Sequence, residues 1–304
     1  MIFDAHTHLF SHAYYSALVK QKLNREPNAE EVQAEIAALG LQLPPADAAE
    51  HAGMIVASMD RHGIEHAVLF TSLPGEQTAV ATAASASAGR LIGFTMVNPH
   101  APNALETARG DIATLGLRGL ELFPAMHRFD PSDEKLIYPF YQLASELNVP
   151  VFCHVGLLRV RLRERLGLPC KFDLRFSDPL LLHRAAVDHP GVKFIIPHFG
   201  CGFLREAAFL GHQCPNVYID TSSSNNWLNL LPAPTTLARA LEVCLLAFGP
   251  DRILYGTDTS TLPRGYRTDV REALLGAFDS LNLDNHSREK ILGRNMEQLL
   301  MAGI

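Results

Sequence analysis

Short apolar runs that end in polar residues recur along the chain, separated by stretches in which apolar residues return every three or four positions. The runs are IFDAHTHLF, EHAVLFTS, RLIGFTMVNP, LRGLELFP, VPVFCHVG, VKFIIPHFG, NVYIDTSS and RILYGTDTS, eight between Ile2 and Ser260. Their length and their content of Val, Ile and Phe predict strands, and the periodic stretches between them predict helices. Strands alternating with helices imply βαβ units and a parallel sheet, and eight units in 304 residues fit a closed (β/α)8 TIM barrel. An open doubly wound sheet is the competing architecture, but no GxGxxG or GxxxxGK turn follows any run to mark a nucleotide site. From about residue 11 to 50 no strand is evident, and NAEEVQAEIAALG has helical spacing that stops at Gly40. The expected organisation is one domain over 1–304 with a helical insertion after the first strand. Ser177 before DPLLLHRAA and Ser287 before REKIL read as helix N-caps.

Composition narrows the function. With 47% hydrophobic and 19% charged residues the chain can bury a large core. A net charge of -6 without a basic or acidic run gives neither a nucleic-acid footprint nor a polybasic membrane anchor, so a small-molecule substrate is expected. The apolar stretch LARALEVCLLAFG is short and broken by Arg239 and Glu242, and no basic segment followed by an apolar core opens the chain. A soluble cytoplasmic protein is the expectation, and a homodimer is left open. The five cysteines are odd in number and contain no CxxC pair, so neither disulfides nor a cysteine metal site is expected, and Cys201 reads as a buried free thiol.

In a barrel the chemistry sits where strands run into the following loops, because all strand ends converge there. The polar residues in those places are His6 and His8 in the first run, His154 in VFCHVG, His198 in IIPHFG and Asp258 in LYGTDTS. Strand alternation puts Ile2, Asp4, His6 and His8 on one face, His154 with Phe152, His198 with Ile196 and Phe194, and Asp258 with Leu254 and Gly256. Any one of them reads equally well as a satisfied core or rim residue, and the HxH pair as two surface histidines. Gathered in a half-buried mouth, however, several imidazoles and a carboxylate are costly without an ion or mutual pairing. Asp4 either orients a ligand histidine or serves the barrel floor. The long connection from Gly156 to Ser177 carries Arg159, Arg161, Arg163, Arg165 and Lys171, which either meet an anionic substrate or form a solvated basic helix.

Together DAHTH, MDRHGIEHAVLF, VPVFCH, PGVKFIIPHFG, NVYIDTS, DRILYGTD and the terminal ILGRNMEQLL make the chain resemble the amidohydrolase superfamily over essentially its whole length. Within it the closest likeness is to the amidohydrolase 2 branch of hydrolases, lactonases and decarboxylases. The resemblance implies that His6, His8, His154 and Asp258 hold a metal, that Asp258 also shuttles a proton, and that His198 orients or polarises the substrate and need not ligate; an imidazole there can do so by donating to a carbonyl oxygen as negative charge develops. It implies one divalent ion, zinc first, with manganese, iron or cobalt as alternatives. Strand 4 has no terminal lysine to bridge two metals, and Glu121 is its only carboxylate. A mononuclear site is therefore expected.

The implied activity is hydrolysis of an ester, lactone or amide in a small organic acid by a metal-activated water. Nonoxidative decarboxylation of an aromatic or semialdehyde acid is the alternative, and the insertion resembles the cap of decarboxylase members. Arg264 and Arg267 are candidates for binding a substrate carboxylate, and Trp227 for walling the pocket.

Overall fold

A computed structural model describes residues 1–222, 226–231, 234–260 and 265–301. Each apolar run contains a strand: β1 (Phe3–His8), β2 (His66–Phe70), β3 (Leu91–Val97), β4 (Leu120–Leu122), β5 (Val151–Cys153), β6 (Phe194–Ile196), β7 (Val217–Asp220) and β8 (Ile253–Leu254). They lie in sequence order in one sheet with every neighbouring pair parallel. The segment after β8 returns to β1: Ala5 N–H donates to Tyr255 O at 2.7 Å, Asp258 N–H to His6 O at 2.9 Å and His8 N–H to Thr259 O at 2.8 Å. Thr7 and Thr259 form a parallel bridge there. The sheet thus curls into the (β/α)8 TIM barrel expected from the pattern.

The barrel interior is filled by Val68, Phe70, Phe94, Phe152, Ile195 and Leu254. Leu69, Leu122, Val151, Phe194, Ile196 and Ile219 point the other way and pack under the surrounding helices. Both faces of every strand are therefore buried, which is why the runs are continuously apolar and not alternating.

Two helices occupy the insertion, α1 (His12–Leu23) and α2 (Ala29–Ala37), and a third, α3 (Ala48–His62), begins inside the expected span and leads into β2. Asn28 and Glu31 form a reciprocal capping box at the start of α2, each side chain bonded to the other's backbone N–H. The connection after β5 crosses the barrel mouth and closes onto this insertion. Its Leu162, Leu166 and Leu168 pack with Tyr14, Tyr15, Leu18, Val32 and Ile36.

Neither serine expected to cap a helix does so. Asp178 caps the turn Pro179–Leu182 by accepting Leu180 N–H, while Ser177 ends the preceding turn. Asp284 caps Asn285–Glu289 and accepts both the N–H and the hydroxyl of Ser287, which lies inside that helix. In each case a neighbouring carboxylate is the stronger acceptor for orphan N–H groups. Among the described residues no helix is long and apolar enough to cross a membrane.

Candidate metal centre

Strand β1 delivers two histidines to the mouth through a register shift. Asp4 pairs with Ala67, which packs outward, whereas His8 pairs with Phe70, which fills the interior, and the irregularity falls between Asp4 and Thr7. The alternation expected over Ile2, Asp4, His6 and His8 is broken by this bulge. Asp4 consequently orients no imidazole. It accepts the backbone N–H of His6 and of Thr257 at 3.1 and 3.0 Å, the Thr257 hydroxyl at 2.5 Å and the Tyr266 hydroxyl at 3.2 Å, and so clamps the barrel seam.

His6 and His8 each engage Nδ1 and leave Nε2. His6 Nδ1 lies 2.8 Å from Asp220 Oδ2, and His8 Nδ1 lies 3.0 Å from Ser72 Oγ. Oδ1 of Asp258 then stands 3.9 Å from His6 Nε2 and 3.2 Å from His8 Nε2. The three ligand-type atoms lie within 4.8 Å of one another. His6 Nε2 is buried and has no hydrogen-bond partner. An unpaired polar atom in that position is costly, and a divalent ion held by these three residues would supply the missing partner. The donor set therefore fits the metal that the sequence implied, with each ring fixed from behind by a hydrogen bond on its other nitrogen.

Charges in the mouth are strongly coupled. Burial pushes Asp258 up, but the hydrogen bond and charge of His8 and the charges of His6 and His198 outweigh it and hold the carboxyl below the usual range. For Asp220 burial is again opposed by His6, and the net shift is downward. His6 rises despite its burial because Asp220 and Asp258 face it, whereas burial lowers His8 and His154.

His154 opens onto the same pocket, with its ring centre 5.3 Å from that of His6. Its Nε2 is 3.0 Å from Glu121 Oε1, so Nδ1 is the nitrogen it offers to an ion, and it is not gathered with the other three ligand atoms. Glu121 is fully buried in the middle of β4, and its Oε2 has no hydrogen-bond partner.

His198 reaches the mouth by a different route from the one alternation suggests. Phe194 and Ile196 point outward and Ile195 inward, so continuation of β6 would aim position 198 away from the mouth. A left-handed turn at His198 and Phe199, φ 59° and 54°, re-aims the ring, at a backbone cost of about 1–3 kcal/mol per residue. Asp220 offsets it: its Oδ1 accepts His198 N–H at 2.9 Å. His198 Nδ1 lies 2.7 Å from Ser222 Oγ. His6, His198 and Asp220 form a second close triplet, but His6 Nδ1 is already taken up by Asp220 and His198 Nδ1 by Ser222.

Asp220 and Ser222 had no assigned role in the sequence reading. The visible signal was a carboxylate and a hydroxyl two residues apart at the end of a strand, in YIDTS, placed as the histidines are. Gly256 makes room for them, since a Cβ there would stand 3.0 Å from His6 Cβ and 3.1 Å from Ser222 Cβ.

Over the centre lies a cavity of about 590 Å³, lined by aromatic and aliphatic side chains and reached by both His8 and His198. Trp227 forms part of its wall and is nearly fully buried. Arg267 reaches the cavity but is bidentate to Asp269, with both bonds at 2.8 Å. Arg264 lies outside the described residues. Of the basic connection, Arg159, Arg161 and Arg165 border the cavity; Arg159 pairs with Glu164, and Arg165 donates to Leu39 O in the insertion. Arg163 instead braces α1 through Gln21 at 2.9 Å. The five cysteines are all free, and Cys201 at the cavity edge donates to Leu157 O.

The fold is a parallel eight-stranded TIM barrel in which histidines and a carboxylate converge at the C-terminal mouth as a candidate metal site. The amidohydrolase family model matches residues 3–300, and the chain belongs to that family. No curated protein matches the chain by sequence. A 5-carboxyvanillate decarboxylase from Sphingomonas paucimobilis has a similar structure, with TM-score 0.66, 14% identity and coverage of 99% of this chain and 98% of its own. A probable 2-pyrone-4,6-dicarboxylic acid hydrolase from Acinetobacter baumannii gives TM-score 0.61 and 16% identity with 99% of both chains covered. A Burkholderia multivorans amidohydrolase with bound zinc gives 0.60 and 16%, again over 99% of both. These likenesses establish a shared fold.

Proposed function

We propose that the chain is a metal-dependent hydrolase that cleaves an ester, lactone or amide bond in a small organic acid. The observation that carries the reading is the convergence of His6 Nε2, His8 Nε2 and Asp258 Oδ1 at the mouth, with the first of these buried and otherwise unpaired. His154 through Nδ1 is the further ligand the family pattern calls for. The nitrogen and oxygen donors suit zinc first, and manganese, iron or cobalt as well. When bound, such an ion lowers the pKa of water toward neutrality and polarises a carbonyl oxygen.

The chain's own residues do the rest. Asp258, held ionised by its histidine neighbours, accepts a proton from water in the pocket and returns it to the leaving group. His198, whose ring stacks on that of His6 with centres 4.8 Å apart, is the second proton-handling group. A cavity of about 590 Å³ with aromatic and aliphatic walls suits a small molecule. Arg161 and Arg165 at the cavity edge favour an anionic substrate, which Arg267 would meet only by exchanging its Asp269 partner for the substrate, with Trp227 as a flat wall.

A second reading, nonoxidative decarboxylation of an aromatic acid, is favoured by the aromatic walls Phe10, Tyr14, Phe123 and Trp227, which suit a planar ring. It is also the reaction named for the similar Sphingomonas paucimobilis structure. One experiment separates the two. Metal-loaded protein is incubated with panels of lactones, esters, amides and hydroxybenzoates, and acid release is followed beside carbon dioxide release. Acid release that a chelator abolishes supports the hydrolase. Carbon dioxide release without any ester, lactone or amide cleavage overturns it in favour of the decarboxylase.

A further inference from the structure

Ser222 has one hydroxyl hydrogen and three polar neighbours. Its Oγ is 2.5 Å from Asp220 Oδ1, 2.7 Å from His198 Nδ1 and 3.0 Å from His6 Nδ1. The same Asp220 oxygen also accepts the backbone N–H groups of His198 and Ser222, at 2.9 and 2.8 Å. An oxygen receiving two N–H bonds is acting as an acceptor and has no room for a hydrogen of its own. Two oxygens 2.5 Å apart nevertheless require a hydrogen between them, because facing lone pairs at that distance repel. The hydrogen is therefore that of Ser222, and it points at Asp220. What Ser222 Oγ then turns toward His198 is a lone pair, so the contact at 2.7 Å needs its hydrogen on His198 Nδ1.

We propose that Asp220 and Ser222 are positioning residues that hold neutral His198 as the Nδ1–H tautomer, so that its Nε2 presents a lone pair to the pocket. His198 is then a proton acceptor on its pocket side, and not the neutral donor that the sequence reading expected. Donation becomes available only after uptake. A substrate or water O–H bond breaks with its electron pair left on oxygen, a new N–H bond forms at Nε2, and the imidazolium keeps its other hydrogen on Ser222. Passing the Nε2 proton to a leaving group restores the starting tautomer. The backbone is held by the same group, Asp220. His198 sits in the left-handed region at φ 59°, and the N–H of that strained residue is bound by the same Asp220 oxygen that orients Ser222. One carboxylate thus sets both the place of the ring and its tautomer.

The inference does not depend on which bond the protein cleaves, so its failure is distinguishable from failure of the hydrolase reading. The test uses the full chain loaded with zinc, which is diamagnetic, labelled with nitrogen-15 in its histidine rings and free of substrate near neutral pH. Long-range proton–nitrogen correlation reports which ring nitrogen carries the hydrogen, and the His198 signals are assigned by their loss in His198→Gln. The expected spectrum has His198 protonated at Nδ1 and unprotonated at Nε2. Ser222→Ala shifts the ring toward the Nε2–H form or a mixture, and Ser222→Thr, which keeps the hydroxyl, restores it. A wild-type His198 protonated at Nε2, alone or together with Nδ1, overturns the proposal, as does an unchanged tautomer in Ser222→Ala. Should Ser222→Ala fail to fold, the wild-type spectrum decides by itself.

Discussion

His6 Nδ1 and Asp220 Oδ2 lie 2.8 Å apart with both side chains fully buried, a contact between residues 214 positions apart in sequence. It joins the start of the barrel to its seventh strand and leaves His6 Nε2 as the nitrogen for an ion. A ring fixed in this way loses little freedom on ligation, and its basicity is raised by the carboxylate behind it. Asp220→Asn keeps the shape but removes the charge, so metal affinity is expected to fall on the order of 10- to 100-fold. Titration against a competing chelator measures this, and an unchanged affinity would mean that Asp220 only fills space.

Gly256→Ala tests the packing that lets these groups meet. The added methyl would press on His6 Cβ at 3.0 Å and Ser222 Cβ at 3.1 Å, and both backbones are tied into the barrel. Neither can retreat without moving its imidazole or hydroxyl contacts. Expected are a stability loss of about 1–3 kcal/mol and weaker metal binding. Denaturant midpoints and metal titration on the same variant read the two effects. Retention of both would show that the mouth is looser than these contacts indicate.

Much of this architecture was legible from pattern because parallel strands buried on both faces leave continuous apolar runs, and the polar residues just beyond them mark the mouth. His6, His8, His154, His198 and Asp258 all stand out for that reason. What failed was inference by alternation. A bulge after Asp4 reverses which face that residue uses, and a left-handed turn at His198 reverses it again, and neither is encoded by a glycine that would have announced it. Asp220 and Ser222 stayed hidden because their roles are set by residues far away in sequence. The caps were misplaced for a local reason, since serines were read where adjacent aspartates take the N–H groups.

His51, on α3, gives a pH-dependent stability term. Its ring is buried with Nε2 unpartnered, and burial brings its pKa from 6.5 down to about 4. Between those values the unfolded chain binds more protons than the folded one, so stability falls as pH falls through the window. The term is fully present above pH 6.5, is lost toward pH 4, and amounts to at most about 3 kcal/mol. His51→Leu has no proton to bind and is expected to show a shallower loss of urea midpoint over the same range. Parallel curves for the two proteins would place the acid sensitivity elsewhere.

Glu121 decides how many ions the mouth holds. Burial, reinforced by the negative charges of Glu76 and Asp258, pushes its pKa well above the usual carboxylate range. Its Oε1 contacts His154 Nε2 at 3.0 Å, and among the described residues it belongs to no triplet of close ligand atoms. A carboxyl whose ionised form is disfavoured by its surroundings is a poor bridge between two cations, and β4 offers no lysine in its place. Glu121→Gln keeps the shape and removes the charge that a bridging carboxylate would need. The expected metal content is one ion per chain in the wild type and in Glu121→Gln alike, measured by elemental analysis after saturation and removal of excess metal. Two ions in the wild type falling to one in the variant would instead make Glu121 a bridging ligand, and the mononuclear reading would fail.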